Sequence, residues 1–491
     1  MISNLGKEGM ASDGYPSQEP TKNREKSSDS FATEIFLDGR SNAIASAMVI
    51  WEGCNLLAQR HSLPWTTAPD GKLFYSKQVK QGQGALRFGL TEAFTGEPFN
   101  CLAGEAALAV LDSLDLRAAC LHLIYAACAT TLERPWEQEF TVSDRQIASY
   151  LGLDRRKDLS RRNKLDLIQS LALQSCQIAV SIQWPQQGKI EGFSVPEGRL
   201  WNLTAIEPNF LEAEGSQSQV SGLIFTIRAG EWSRYFLNSQ GYREKTAFYQ
   251  YTTLPKCLLE QVMSQWQHHE GAVRMVLWLF FKIRLGRQQP LSVSTLMRVA
   301  YGEEKLLTAN SNGEERKRRI RTFERDLEVL FNWGFKPGFD PATYPPEIQP
   351  LWWKLLAVPD DREAEDEFWQ EDALKERSIL EPAPRGKWQR LLKARILGLE
   401  LSTDMAAQLA PLERQKQRNS RSVARQPQPV NLTGEQVKAA RKNQNLSQRE
   451  LARLMEKSQS WVRDVESDRL KIQPADRKRL QKILRLIDNV K

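Results

Sequence analysis

Four histidines, ten tyrosines and six cysteines are the side chains of this sequence best suited to metal, nucleophilic or redox chemistry, and their spacing restricts each set. His268 and His269 are adjacent, so on a strand they point to opposite faces. Rolling-circle nicking enzymes instead hold a metal beside a nucleophilic tyrosine with two histidines spaced i, i+2 on one face. His61 and His122 stand alone, so no metal-ligand set is expected. Tyr235, Tyr242, Tyr249 and Tyr251 cluster in WSRYFLNSQGYREKTAFYQY and offer a nucleophile for strand transfer. Beside Phe236 and Phe248 they are better read as core or interface aromatics. Cys54, Cys101, Cys120, Cys128, Cys176 and Cys257 include no CxxC pair, which argues against a zinc ribbon or disulfide scaffold and fits reduced thiols in a cytoplasmic protein. Around Gly71-Lys72-Leu73 the preceding Gly and the following hydroxyl of a phosphate loop are both missing, so ATPase or helicase activity is not expected. The expectation is a non-enzymatic chain without catalytic residues, metal or cofactor.

What remains is charge. The 491 residues carry a formal +8, yet residues 411–491 alone hold 20 basic and 9 acidic side chains, which leaves the rest at −3. The basic character is therefore local. The longest apolar stretch, Ala118 to Leu132, contains His122 and is shorter than the roughly 20 residues that span a bilayer, so no membrane partner is expected. The N-terminus lacks the apolar run of a signal peptide.

The elements that must position the charge are uneven in clarity. Residues 1–30 are polar and read as a disordered tail. Residues 31–110 read as a mixed α+β region, with helical spacing from Ile44 to Leu57 and short strands at Lys72–Tyr75 and Ala85–Gly89. Two later stretches then share one order: an apolar helix, a short capped helix, a basic helix, then strand-like sequence. In the first, Leu114–Leu132 is followed by Ser143–Leu151, by a basic helix over Asp158–Leu173, and by Gln177–Trp184 with a PQQGK turn. In the second, Ala272–Leu285 is followed by Val293–Tyr301, by Glu314–Trp333, and by a strand from Phe335. Helix, helix-turn-helix and wing is the order of a winged helix. Residues 111–230 and 231–350 are accordingly expected to be tandem winged-helix-like domains, with Gly222–Arg228 and Trp201–Ile206 in the first wing or a bridging sheet. Each basic helix taken alone also fits a solvated surface. Residues 351–410 form an acidic, helical region, and 411–430 a basic, Arg/Gln/Pro-rich linker.

Residues 431–491 carry the sharpest pattern. Thr433 with Gln436 and Ser447 with Glu450 are two capping boxes, and a third helix is expected over about Ser458–Glu466 with Val462 and Val465 facing the core. Through Leu446, Gln448, Leu451, Ala452, Val462, Val465 and Glu466 this run resembles the helix-turn-helix of the phage lambda repressor and Cro family. The resemblance implies base reading by Gln459, Ser460 and Asp464, with Arg463 an additional basic candidate. It implies phosphate contacts from Gln448, Ser467, Arg469 and Lys471, and an internal ion pair between Arg441 and Glu466. Glu456 departs from it by standing where a Gly usually turns the chain, at a cost of about 1 kcal/mol for a left-handed residue. Trp461 on the reading helix is a second departure and suits a partly buried anchor.

The order of elements in residues 111–340 is similar to that of plasmid Rep-type replication initiators, which bind repeated origin sequences through two winged helices and load host replication proteins. On that resemblance Arg161, Arg162 and Lys164, and then Arg318, Arg319 and Arg321, lie on the two DNA-contacting helices. The fold class expected is mainly α with small β wings: tandem winged-helix-like domains and a C-terminal all-α helix-turn-helix. The partner expected is double-stranded DNA, with host replication proteins and a homodimer as further possibilities. A transcriptional regulator with a C-terminal operator reader, and a tyrosine-dependent nicking enzyme, stand as alternatives.

Overall fold

The computed structural model describes residues 34–36, 38–94, 99–211, 219–283, 290–375, 377–382, 384–409, 433–444, 446–470, 472–473, 476, 479–480 and 483–484. The expected tail, 1–30, and basic linker, 411–430, lie outside them. The chain divides into two compact units, Met1–Leu412 and Glu413–Lys491, each with a hydrophobic core of its own. About half of the chain is helical, with several small sheets.

In the first unit strand β1 (Ser41–Ala45) leads into helix α1 (Met48–Gln59). The spacing predicts helix from Ile44 onwards, but Ile44 and Ala45 pair instead with Thr252 and Tyr251 in an antiparallel ribbon. Strands β2 (Thr66–Thr67), β3 (Leu73–Val79) and β4 (Gly84–Leu90) follow, then helices α2 (Gly104–Ser113) and α3 (Ala118–Thr130). Every residue of α3 is buried, as a helix apolar on all sides must be. Its His122 accepts at Nδ1 from Trp201 Nε1 at 2.9 Å, so Nε2 carries the proton and donates to the Ile50 carbonyl at 2.9 Å. Burial pushes the pKa of this ring down to about 4 and keeps it neutral.

Next come β5 (Glu139–Ser143), α4 (Asp144–Tyr150) and α5 (Arg161–Ser175). Ser143 opens α4 with a capping box closed by Gln146, Gly152 leaves it at φ 68°, and Ser160 caps α5. Two hairpins follow, β6 (Ile178–Trp184) with β7 (Phe193–Arg199), and β8 (Trp201–Leu211) with β9 (Gln219–Ala229). The expected wing at Gln177–Trp184 is corrected here. Ile178, Val180 and Ile182 lie opposite Leu90, Phe88 and Leu86 of β4, so this hairpin completes a five-stranded sheet, β2-β3-β4-β6-β7. Apolar side chains alternate on both strands and bury one common face, which fixes that register. β5 pairs with β9 instead, giving a three-stranded sheet β5-β9-β8. Strands from both sides of residue 110 thus share one sheet.

Helices α6 (Trp232–Phe236) and α7 (Ser239–Glu244) precede β10 (Tyr251–Pro255), the partner of β1. Then come α8 (Lys256–Gln265), α9 (Glu270–Ile283), β11 (Leu291–Ser292), α10 (Val293–Tyr301), α11 (Glu303–Ser311), α12 (Gly313–Asn332) and β12 (Phe335–Phe339). Ser292 caps α10 and Asn312 caps α12, while α11 is an element the sequence pattern does not announce. A helical segment with α13 (Leu351–Leu355), α14 (Arg362–Leu374) and α15 (Lys387–Lys393) intervenes before β13 (Arg395–Leu401) enters between β11 and β12. α16 (Thr403–Leu409) ends the described part of this unit.

The sheets β5-β9-β8 and β11-β13-β12 have the same strand order, first, third, second. In both, an apolar helix precedes the first strand, and a capped helix and a basic helix separate the first strand from the second. α1 packs against both apolar helices, α3 and α9, and its Trp51 stacks on Phe281 at 6.2 Å.

Candidate nucleic-acid interface

The second unit is built from α17 (Gly434–Asn443), α18 (Gln448–Met455) and α19 (Gln459–Glu466) around Val437, Leu451, Met455, Val462 and Val465. Thr433 and Ser447 each close a capping box with Gln436 and Glu450, and Ser458 caps α19 by accepting from Trp461 N at 3.1 Å. Gly434 is required by packing, since a Cβ there would stand 2.4 Å from the Val465 carbonyl oxygen. Its N–H donates to Asp468 Oδ1 at 2.6 Å, which ties the start of α17 to the end of α19.

Between α18 and α19 the chain turns through Glu456 at φ 56°, ψ 37°, and Lys457 N donates to the Ala452 carbonyl at 2.9 Å. The left-handed turn is therefore kept without a glycine, and the Glu456 carboxylate meets Arg479 at 2.6 and 3.2 Å. α19 is held by a buried pair: Arg441 Nε donates to Glu466 Oε1 at 2.6 Å and Nη2 to Oε2 at 3.2 Å. Burial by itself raises the Glu466 carboxyl, but hydrogen bonds from Arg441 and Gln448 more than offset that and hold it below the usual carboxylate range.

With this framework fixed, α19 turns Val462, Val465 and Glu466 inward and leaves Gln459, Ser460 and Arg463 exposed, with Asp464 half-exposed. The positions expected to read bases thus share the outer side of one helix. Gln459 accepts from Arg449 Nε at 3.1 Å and Ser460 Oγ lies 2.8 Å from Ser458 Oγ. Gln448, expected at a phosphate, donates one amide proton to Glu466 Oε2 at 2.8 Å and keeps a second for another acceptor. Ser467 and Arg469 are exposed just beyond the helix, and Lys471 lies outside the described residues. Trp461 is half-buried against the core with Lys457 Nζ 5.6 Å from its ring, so it anchors the helix.

In the first unit the expected cations separate into two groups. Arg161 Nη2 donates to Asp144 Oδ2 at 2.5 Å and to the Ser221 carbonyl at 2.8 Å, while Asp144 Oδ1 accepts from Leu223 N at 2.8 Å. Arg161 thus ties α5 to α4 and β9. Arg162 is exposed and Lys164 half-exposed. On α12, Arg319 is buried, its guanidinium 4.8 Å from the Tyr301 ring and its Nη2 3.6 Å from Glu315. As a DNA contact it is corrected to a packing residue, because its spacing in the helix points it at α10. Arg318, Arg321 and Arg325 are exposed at spacings of three and four and share the outward face. Arg325 was missed by sequence reasoning because it lies beyond the basic run, among acidic and apolar neighbours; the helical period was the signal that finds it.

The nucleophile candidates are differently placed. Tyr235 stacks on Phe193 at 4.3 Å, and burial beside Tyr251 raises the Tyr249 hydroxyl, against the direction an activated nucleophile needs. Burial likewise pushes the Cys101 and Cys176 thiols up to about 12. Among the described residues no group of three His, Cys, Asp or Glu side chains is placed to hold a metal, and no helix is long and apolar enough to cross a membrane.

Residues 437–490 match the family described as Helix-turn-helix, the class of the lambda repressor and Cro. This protein binds DNA. No curated protein matches the chain. A solved structure described as domains 2 and 3 of RctB, in selenomethionine form, aligns over 51% of this chain and 77% of that one at 11% identity. Its TM-score is 0.27, too low to bear on fold or function.

Proposed function

We propose that the chain is a replication initiator that reads repeated duplex sites with three DNA-binding elements: two winged helices in the first unit and the helix-turn-helix of the second. The observation that carries this reading is the repeated strand order, first, third, second, in two sheets whose first and second strands are separated by a capped helix and a basic helix. In a winged helix the second of those helices enters the major groove. That reading puts Arg162 and Lys164 of α5, and Arg318, Arg321 and Arg325 of α12, against DNA. Gln459, Ser460, Arg463 and Asp464 would read base edges, and Gln448, Ser467, Arg469 and Lys471 phosphates. The protein acts by binding and by recruiting host replication proteins, with no cut and no cofactor.

The test uses the full chain on duplexes with one site, a palindrome, or an array of direct repeats. An initiator binds the array best, and Arg318→Ala with Arg321→Ala lowers the dependence of affinity on salt. A transcriptional regulator binds the palindrome best through Gln459 and Arg463 and is indifferent to the α12 changes. A covalent adduct on supercoiled DNA with Mg²⁺, lost in Tyr249→Phe or Tyr251→Phe, would replace both readings with a nicking enzyme.

A further inference from the structure

Within the helix-turn-helix one contact joins the first turns of the two paired helices. Arg449, the second residue of α18, donates from Nε to Oε1 of Gln459, the first residue of α19, at 3.1 Å. Both side chains are exposed. A guanidinium carries donors alone, so the amide atom that faces it is the oxygen, which fixes the orientation of the Gln459 amide. Arg441, Arg463 and Arg479 each have a carboxylate within 3.7 Å, whereas Arg449 has no acidic partner among the described residues.

This contact changes what Gln459 presents. A free glutamine reads adenine, accepting from N6 with its oxygen and donating to N7. Here Arg449 takes one lone pair of that oxygen and sets a positive charge beside the other, which disfavours the electropositive N6 amino group. Both amide protons of Gln459 and the terminal nitrogens of Arg449 have no acceptor among the described residues. The outer face of the pair is thus an array of donors. Guanine is the base whose major-groove edge offers two acceptors, N7 and O6, and no donor.

We propose that Arg449 is a specificity-determining residue, and that Arg449 with Gln459 selects guanine where a lone glutamine selects adenine. This rests on Gln459 contacting a base edge from α19. The competing role for Arg449 is a phosphate contact, since the helix before the reading helix crosses the DNA backbone. A phosphate contact carries no base preference, so the two roles separate by experiment.

The full chain is used to select sites from a random duplex pool, and the base pair read by Gln459 is the one whose preference disappears in Gln459→Ala. At that pair the native chain takes G·C over A·T by about tenfold or more, the worth of a bidentate contact. Replacing this guanine with 7-deazaguanine, which lacks the N7 acceptor, removes most of the advantage. Arg449→Ala frees the amide and turns the preference to adenine at this pair alone, a gain that an unfolded variant cannot produce. Adenine preferred by the native chain, or guanine still preferred by Arg449→Ala, overturns the proposal. So does an Arg449→Ala variant that weakens binding equally on every sequence and lowers the log-log salt slope by about 0.9, which would make Arg449 a phosphate contact. If Gln459→Ala alters no preference at any pair, the placement of α19 against base edges falls, and the proposal falls with it.

Discussion

Arg441 and Glu466 show how one buried charge pair fixes a reading helix. Each leaves water, and each is satisfied by the other together with the Leu446 carbonyl and the Gln448 amide. Removing one partner strands a buried charge, so Arg441→Ala should destabilise the second unit by about 3 kcal/mol or more, measured by urea denaturation. Because Glu466 is held below its unfolded value, its contribution is present above that value, about 4.3, and is lost as pH falls through the folded one. Melting of the second unit should therefore drop below about pH 4 in the native chain and less so in Glu466→Gln. This pair was legible from the family resemblance. Arg319 was not, because a run of basic residues does not say which member the helical turn directs at Tyr301.

For whole elements the decisive contacts are close approaches. α12 is held to α10 and to the residue that leads into α9 through Asp326, which accepts from Tyr301 Oη at 2.6 Å and lies 3.3 Å from His269 Nδ1. Gly271 makes this possible, since a Cβ there would stand 2.1 Å from Asp326 Oδ2 and 2.6 Å from Tyr301 Cε1. Gly271→Ala should cost about 1–3 kcal/mol and displace the basic face of α12, which a fall in both melting temperature and DNA affinity would show. The same face is tested by charge: if Arg318 and Arg321 each neutralise a phosphate, replacing both with Ala reduces the log-log salt slope by about 1.8. An unchanged slope would return them to solvated surface. The capped helices were legible to within a few residues, because Ser143, Thr433 and Ser447 act on their own turns. The hairpin β6–β7 was misassigned because its partner β4 lies far away in sequence and only the ladder identifies it.

At the scale of the molecule, two separate cores predict two calorimetric transitions, with Arg441→Ala lowering the smaller alone. The larger should respond to His122. Its folded pKa, about 4, is below the unfolded value of about 6.5, so stability is complete above the unfolded value and falls as pH descends from 6.5 to 4, by about 3 kcal/mol. A transition temperature flat across that range would mean the ring is protonated in place. The sequence by itself determined the C-terminal helix-turn-helix, the caps, and the local excess of positive charge, because these depend on residues within one or two turns of each other. Only the tertiary structure decided which strands form the two first-third-second sheets and that residues 340–394 fill the interval before β13. It alone decided which arginines of α5 and α12 reach solvent. Those outcomes depend on burial between segments remote in the chain, and a local pattern carries no record of which remote surface covers it.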